Sequence, residues 1–247
     1  MAGDRGDLGG VIHLLRWLAI AIYTLALGPP VCLIALFDRS GELPFRIARL
    51  WVRMILLTCG VRLEVSGSAN VIPGQPQVFM SNHQSTADTA VLLASVPTSV
   101  RFMAKRELVR VPIFGWALAL SGHLIVDRGN RTLVLASLQR GIDMIRAGQS
   151  LFVFPEGSRG DEGQLGRFKS GGFQMAVGAG VPIVPVSILG TARIAGRDSW
   201  RIHSGPVRVI FGEPIATAGM GASDRPHLKR LVREAILRGL ESCGEPD

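Results

Sequence analysis

The chain has 247 residues, 47% of them hydrophobic and only 19% charged, a balance that excludes a disordered chain and is greasier than a soluble domain needs. Lys+Arg number 27 against Asp+Glu 19, a formal net charge of +8, which points to an anionic partner such as nucleic acid, an anionic membrane or a phosphorylated substrate. Three widely spaced cysteines, Cys32, Cys59 and Cys243, without any C-x-x-C or Cys/His cluster, argue against a disulfide scaffold and against a zinc site.

The first element is apolar. No charged residue occurs over 17–37, preceded by Arg16 and followed by Asp38, Arg39, Arg46, Arg49 and Arg53. The stretch is long enough to cross a bilayer, but Gly28, Pro29 and Pro30 in its middle remove two backbone donors and predict a break there. Residues 45–59 follow as an amphipathic helix with Arg46, Arg49 and Arg53 on one face and Ile47, Leu50, Trp51, Met54, Ile55 and Leu57 over much of the rest, a pattern suited to a membrane interface. The favoured reading is a membrane-attached helical pair. A kinked single span is its nearest rival, ahead of a buried helix pair or a signal peptide, and the basic flank belongs on the cytoplasmic side.

After Gly60 the texture changes to short apolar runs alternating with longer helical patterns. Strands are expected at 61–65, 78–81, 100–104, 124–127, 151–154, 183–186 and 207–211. Helices are expected at 131–147, capped by Asn130, and at 225–241, capped by Asp224. Pro182 and Pro185 argue that their strand lies at an edge or only begins there. The alternation gives an α/β fold, a mixed and largely parallel sheet flanked by helices. Residues 1–60 form the membrane-anchoring part and residues 61–247 the α/β domain.

No Gly-x-Gly-x-x-Gly, Walker loop or Gly-x-Ser-x-Gly occurs, so nucleotide and serine-hydrolase chemistry lack support. Aromatics at 6%, never interleaved with basic residues on a strand, argue against a nucleic-acid partner.

The chemistry concentrates in Asn82-His83-Gln84-Ser85-Thr86-Ala87-Asp88. On one ideal helix, residues five apart sit about 140° from each other and pair poorly. His83 can therefore meet Asp88 only if it lies in a strand-to-helix turn, with Ser85 or Thr86 as cap and the carboxylate reaching back to one ring nitrogen. That leaves the other nitrogen to take a proton from a substrate hydroxyl. The spacing alone is weak, and taken by itself it is better explained by a helix-capping turn with a polar histidine.

Three further blocks, at strand ends where α/β sheets collect ligands, change the weighing: Gly122-His123-Leu124-Ile125-Val126-Asp127-Arg128, Phe154-Pro155-Glu156-Gly157-Ser158-Arg159, and Val181-Pro182-Ile183-Val184-Pro185-Val186. In this order, over residues 83–186, the four blocks resemble the 1-acylglycerol-3-phosphate acyltransferase (lysophosphatidate acyltransferase) family of glycerolipid acyltransferases. The resemblance implies transfer of a fatty acyl group from acyl-CoA or acyl carrier protein to the sn-2 hydroxyl of 1-acylglycerol-3-phosphate, giving phosphatidic acid, with no cofactor and no metal. Lyso-ornithine lipid or another lysophospholipid is the alternative acceptor, and a non-catalytic lipid-binding protein is the alternative of another class.

By the same resemblance His83 is the general base and Asp88 its orienting partner. Glu156, Gly157 and Arg159 hold the acceptor's glycerol phosphate, Arg159 by a bidentate contact and Glu156 by positioning Arg159 or a substrate hydroxyl. Arg128 and Lys105 are further phosphate-binding candidates. Lys169 approaches the phosphate less securely, and His123 has a structural role. Ser158 stands where the family often has threonine, which keeps a hydroxyl. The implied setting is the cytoplasmic face of a bacterial inner membrane, with the bilayer, the lysophospholipid and the acyl donor as partners.

Overall fold

The computed structural model describes residues 5–38, 40–127, 129–160, 164–196 and 199–242. Helices α1 (Arg5–Phe37) and α2 (Glu42–Thr58) precede β1 (Val61–Ser66), β2 (Val78–Ser81), α3 (Ala87–Ser95), β3 (Val100–Lys105), α4 (Phe114–Leu120), β4 (Leu124–Val126), α5 (Arg131–Arg146) and β5 (Ser150–Val153). Then come α6 (Gly171–Ala179), β6 (Ile183–Leu189), α7 (Thr191–Ile194), β7 (Gly205–Phe211) and α8 (Arg225–Glu241). Each strand expected from the alternation of apolar runs is present, to within a few residues at its ends. Asn130 caps α5 through its side chain, accepting from the N–H groups of Thr132 and Leu133. Asp224 instead turns its carboxylate back to the N–H of Gly221 at 2.7 Å.

The strands form one sheet in the order β1-β7-β6-β2-β5-β3-β4. The five from β6 to β4 run parallel, β7 runs antiparallel to β6, and β1 is parallel to β7. Burial on both faces makes β2, β5 and β6 almost wholly apolar, as parallel strands between helical layers require. Val78, Met80, Leu151, Val153 and Ile183 face α5, α6 and α8. Phe79, Phe152, Phe102, Val184 and Val186 face α2 and α3. On that second face a row of rings crosses five positions, Phe211, Phe79, Phe152, Phe102 and His123, with centroids 5.4 to 6.2 Å apart. Such packing stiffens the floor beneath the strand ends.

Two sequence expectations are corrected. α1 does not break at Gly28-Pro29-Pro30 but continues as one helix, about 50 Å long. Both prolines point outward, while His13, Ile20, Val31 and their neighbours form an inner stripe against the rest of the molecule, so packing on both sides of the prolines outweighs two missing hydrogen bonds. Gly28 serves a close approach, because a Cβ there would fall 2.1 Å from Cγ2 of Ile113. Pro185 lies inside the central strand β6, not at an edge. Pro182 does stand where β6 begins, and Pro185 lies just past the last paired residue of β7, Phe211, with its carbonyl accepting from the N–H of Gly212.

α2 buries Phe45, Val52 and Leu56 in the core and leaves Leu43, Leu50 and Leu57 exposed, seven residues apart. The outer face of α1 is also apolar, with Val11, Ile12, Leu14, Leu15, Trp17, Leu18, Ile22, Leu25, Leu33, Leu36 and Phe37 exposed. Among the described residues, Gly10–Phe37 is the helix long and apolar enough to cross a membrane, with a mean hydropathy of 2.1 over its most apolar window.

Candidate active site

β2 ends at Ser81 and α3 begins at Ala87, so His83 lies in the strand-to-helix turn. Asn82 fixes the end of the strand: its amide donates to the carbonyl of Ile188 and its Oδ1 accepts from the N–H of the same residue, both at 2.8 Å. From the first turn of α3, Asp88 reaches back. Its Oδ2 accepts from His83 Nδ1 at 2.8 Å, from Gln84 N–H at 2.7 Å and from Ser85 N–H at 2.9 Å. Three donors on one oxygen hold the carboxylate rigidly, and with Nδ1 as donor the lone pair of the ring sits on Nε2. The Asp88 side chain is 1% exposed and that of His83 19%, so the carboxylate is shielded while the imidazole meets solvent.

β5 is the neighbour of β2, and the turn after it supplies the other half of the site. The ring of Phe154 stacks on His83, centroids 3.9 Å apart and planes 17° from parallel. An aromatic face against an imidazole restricts its rotation. Phe154 was missed by sequence reasoning, although its position one residue beyond the apolar strand in Phe-Pro-Glu-Gly was a usable signal.

Glu156 departs from its assigned role. It is buried, its Oε1 accepts from the His83 N–H at 2.8 Å and its Oε2 from the Gly166 N–H at 2.7 Å. A buried carboxylate needs donors, and backbone supplies one to each oxygen, while no bond joins Glu156 to Arg159 among the described residues. It ties the catalytic turn to the loop after β5, a tie doubled by the bond from Gly160 N–H to the His83 carbonyl at 2.8 Å.

Gly157 has φ +75°, and a Cβ on it would meet the Lys169 side chain at 2.8 to 2.9 Å. The positive φ is what demands glycine, since the lysine end could swing aside. The same contact draws Lys169 into the site, its ammonium beside Gly157, with the Lys169 N–H donating to the Pro155 carbonyl at 2.8 Å. Arg159 is half-buried and makes no hydrogen bond or ion pair among the described residues, leaving its five donors available.

Lys105 ends β3, two strands from β2 and thus about 10 Å away across the sheet. It is exposed and pairs with Glu107 at 3.3 Å. Arg128 lies outside the described residues; the β4 strand before it is a further position out. His123 is structural: its Nδ1 accepts from the Phe102 N–H at 2.9 Å, and burial, helped by nearby Arg101, lowers its pKa to about 3. Among the described residues no three His, Cys, Asp or Glu side chains gather as a metal site would require.

Comparison with known proteins gives the family. The family model described as Acyltransferase matches residues 62–189, just over half of the chain. This chain belongs to the acyltransferase family. A 1-acyl-sn-glycerol-3-phosphate acyltransferase of Pseudomonas aeruginosa is 36% identical over 193 residues, 72% of each chain. A chloroplastic 1-acyl-sn-glycerol-3-phosphate acyltransferase of Brassica napus is 35% identical over 199 residues, 79% of this chain, which spans 57% of that longer relative. The crystal structure of the 1-acyl-sn-glycerophosphate acyltransferase of Thermotoga maritima superposes with a TM-score of 0.85 and 25% identity, covering 98% of this chain and 99% of the other. The similarity to it extends over the N-terminal helices of this acyltransferase as well as its sheet.

Proposed function

We propose that this acyltransferase moves a fatty acyl group from an acyl thioester, carried by CoA or acyl carrier protein, to the sn-2 hydroxyl of a 1-acylglycerol-3-phosphate, giving phosphatidic acid. The observation that carries the reading is the 2.8 Å bond from Asp88 to Nδ1 of a His83 side chain that is partly open to solvent. Nε2 takes the proton of the acceptor hydroxyl as its oxygen attacks the thioester carbonyl. The tetrahedral oxyanion collapses, the C–S bond breaks, and the imidazolium gives its proton to the departing sulfur, releasing a free thiol. Asp88 orients and stabilises the imidazolium between these steps, and the stacked Phe154 ring holds its plane. A thioester carries a good leaving group, so no serine nucleophile and no covalent enzyme intermediate are needed.

Arg159 and Lys169 supply positive charge for the acceptor phosphate, Arg159 with fork geometry. Lys105 serves the same field from two strands away, and Arg128 is a further candidate for it. Residues 1–60 act as the anchor: the apolar outer face of α1 and the Leu43, Leu50 and Leu57 row of α2 enter the lipid, with Arg46 and Arg53 at the headgroups of the cytoplasmic leaflet.

A thiol-release assay with one acyl-CoA and a panel of lysolipids tests this reading. Release that depends on 1-acylglycerol-3-phosphate and disappears in His83→Ala is the expected result. Release driven only by lyso-ornithine lipid or another lysophospholipid overturns the acceptor, and vesicle binding without any thiol release overturns the enzyme.

A further inference from the structure

An exposed tryptophan is held against α1 with unusual care. Trp200 is 55% exposed and Trp17 46%, yet the Trp17 indole N–H donates to the Trp200 carbonyl at 2.7 Å. One turn earlier on α1, His13 Nδ1–H donates to the Ile202 carbonyl at 2.8 Å, and the Arg16 guanidinium donates to that same oxygen. The His13 ring meets Trp200 and His203 edge-on, at 5.6 and 5.1 Å. These contacts fix the backbone of residues 199–204 and leave the large indole outside. Burial does not account for it.

The surroundings say what the indole meets. Trp17 and Trp200 continue the exposed apolar row of Leu14, Leu15 and Leu18, and Arg201 beside them is exposed without a carboxylate partner among the described residues. Indoles joined to an apolar helix face and flanked by arginine match the interfacial level of an anionic bilayer.

The position bears on catalysis. β7 runs antiparallel to β6, so the segment leading into it lies at the end of the sheet where β2 and β5 deliver His83 and Glu156. The carbonyl of Ala195, one residue after α7, accepts from Ser85 Oγ at 2.6 Å in the catalytic turn, and the His203 N–H returns to the Ile194 carbonyl at 2.8 Å.

We infer that Trp200, with Arg201, forms a second membrane contact at the headgroup level of an anionic bilayer, outside α1 and α2 and joined to the α1 face through Trp17, which sets the height of the His83 turn above the lipid. The inference rests on the membrane reading of α1 given above.

The test uses two single-tryptophan forms of the full chain in vesicles of phosphatidylcholine and phosphatidylglycerol carrying brominated acyl chains. One form keeps Trp200 (W17F, W51F, W116F) and the other keeps Trp17 (W51F, W116F, W200F), both checked for retained thiol release. The expected result is quenching of Trp200 by roughly half with bromines near the headgroup end of the chain, less with bromines at its far end, and protection from aqueous iodide. Trp17 quenched by bromolipid while Trp200 responds to iodide alone overturns the second contact and leaves the α1 reading standing. If neither indole is quenched by bromolipid, the membrane reading and this inference fall together.

Discussion

Replacing Glu156 by glutamine separates a brace from a substrate contact. The side chain is 6% exposed and accepts two backbone N–H bonds, at 2.8 Å from His83 and 2.7 Å from Gly166. Bonds to a charged group are each worth about 1.5–3 kcal/mol. Glu156→Gln keeps one acceptor oxygen, now uncharged, and turns an NH2 group toward the other N–H, so one bond weakens and one is lost with both donors buried. The expected cost is about 2–4 kcal/mol, a melting shift of roughly 4–16 °C for a chain of this size. Glu156→Ala loses both bonds, about 3–6 kcal/mol, a large share of the roughly 5–15 kcal/mol that holds a domain together, so glutamine is the better probe. Because the brace holds the His83 backbone, kcat should fall about 100-fold, the effect of an ångström-scale misplacement, while KM for 1-acylglycerol-3-phosphate stays within about threefold. Thermal melts in detergent paired with thiol-release kinetics over a range of acceptor concentrations read both quantities. An unchanged melt with a tenfold rise in acceptor KM and an intact kcat would refute the brace and return Glu156 to the acceptor.

Asp88→Asn keeps the shape of the turn but removes the charge that orients and stabilises the imidazole; kcat should fall about 10³- to 10⁴-fold with the protein still folded by circular dichroism. Arg159→Ala should raise acceptor KM about 10- to 100-fold, the value of a charge-assisted contact, with little change in kcat or in KM for the acyl-CoA, measured by initial rates on both substrates. Burial keeps His123 neutral, with its pKa lowered to about 3, so between pH 6.5 and 3 the unfolded chain binds a proton that the folded one refuses. Stability then drops by about 1.4 kcal/mol per pH unit below 6.5. His123→Asn, which keeps an acceptor for the Phe102 N–H, should flatten that acid arm in denaturant melts at pH 6.5 and 5, and equal slopes in the two proteins would contradict the assignment.

Local pattern was enough to read the α/β alternation and the strand positions from the sequence, while the His83–Asp88 pair needed the company of the three later blocks. Apolar runs bounded by turns mark strands wherever both faces are buried, and a five-residue His/Asp spacing has one workable geometry, with the histidine ahead of the helix. What tertiary structure decided lies where partners come from far along the chain. Glu156 and His83 are 73 residues apart, and only the pairing of β2 with β5 shows that the carboxylate meets backbone N–H groups instead of Arg159. Phe154 reaches the imidazole by the same pairing, and Lys169 enters the site by lying over Gly157. Local rules also misplace the prolines. In α1 two rings that should end a helix are carried through by packing on either side, and in β6 Pro185 falls just past the last paired residue of β7. A proline's cost depends on whether its absent N–H would have had a partner, and that is a property of the assembled fold.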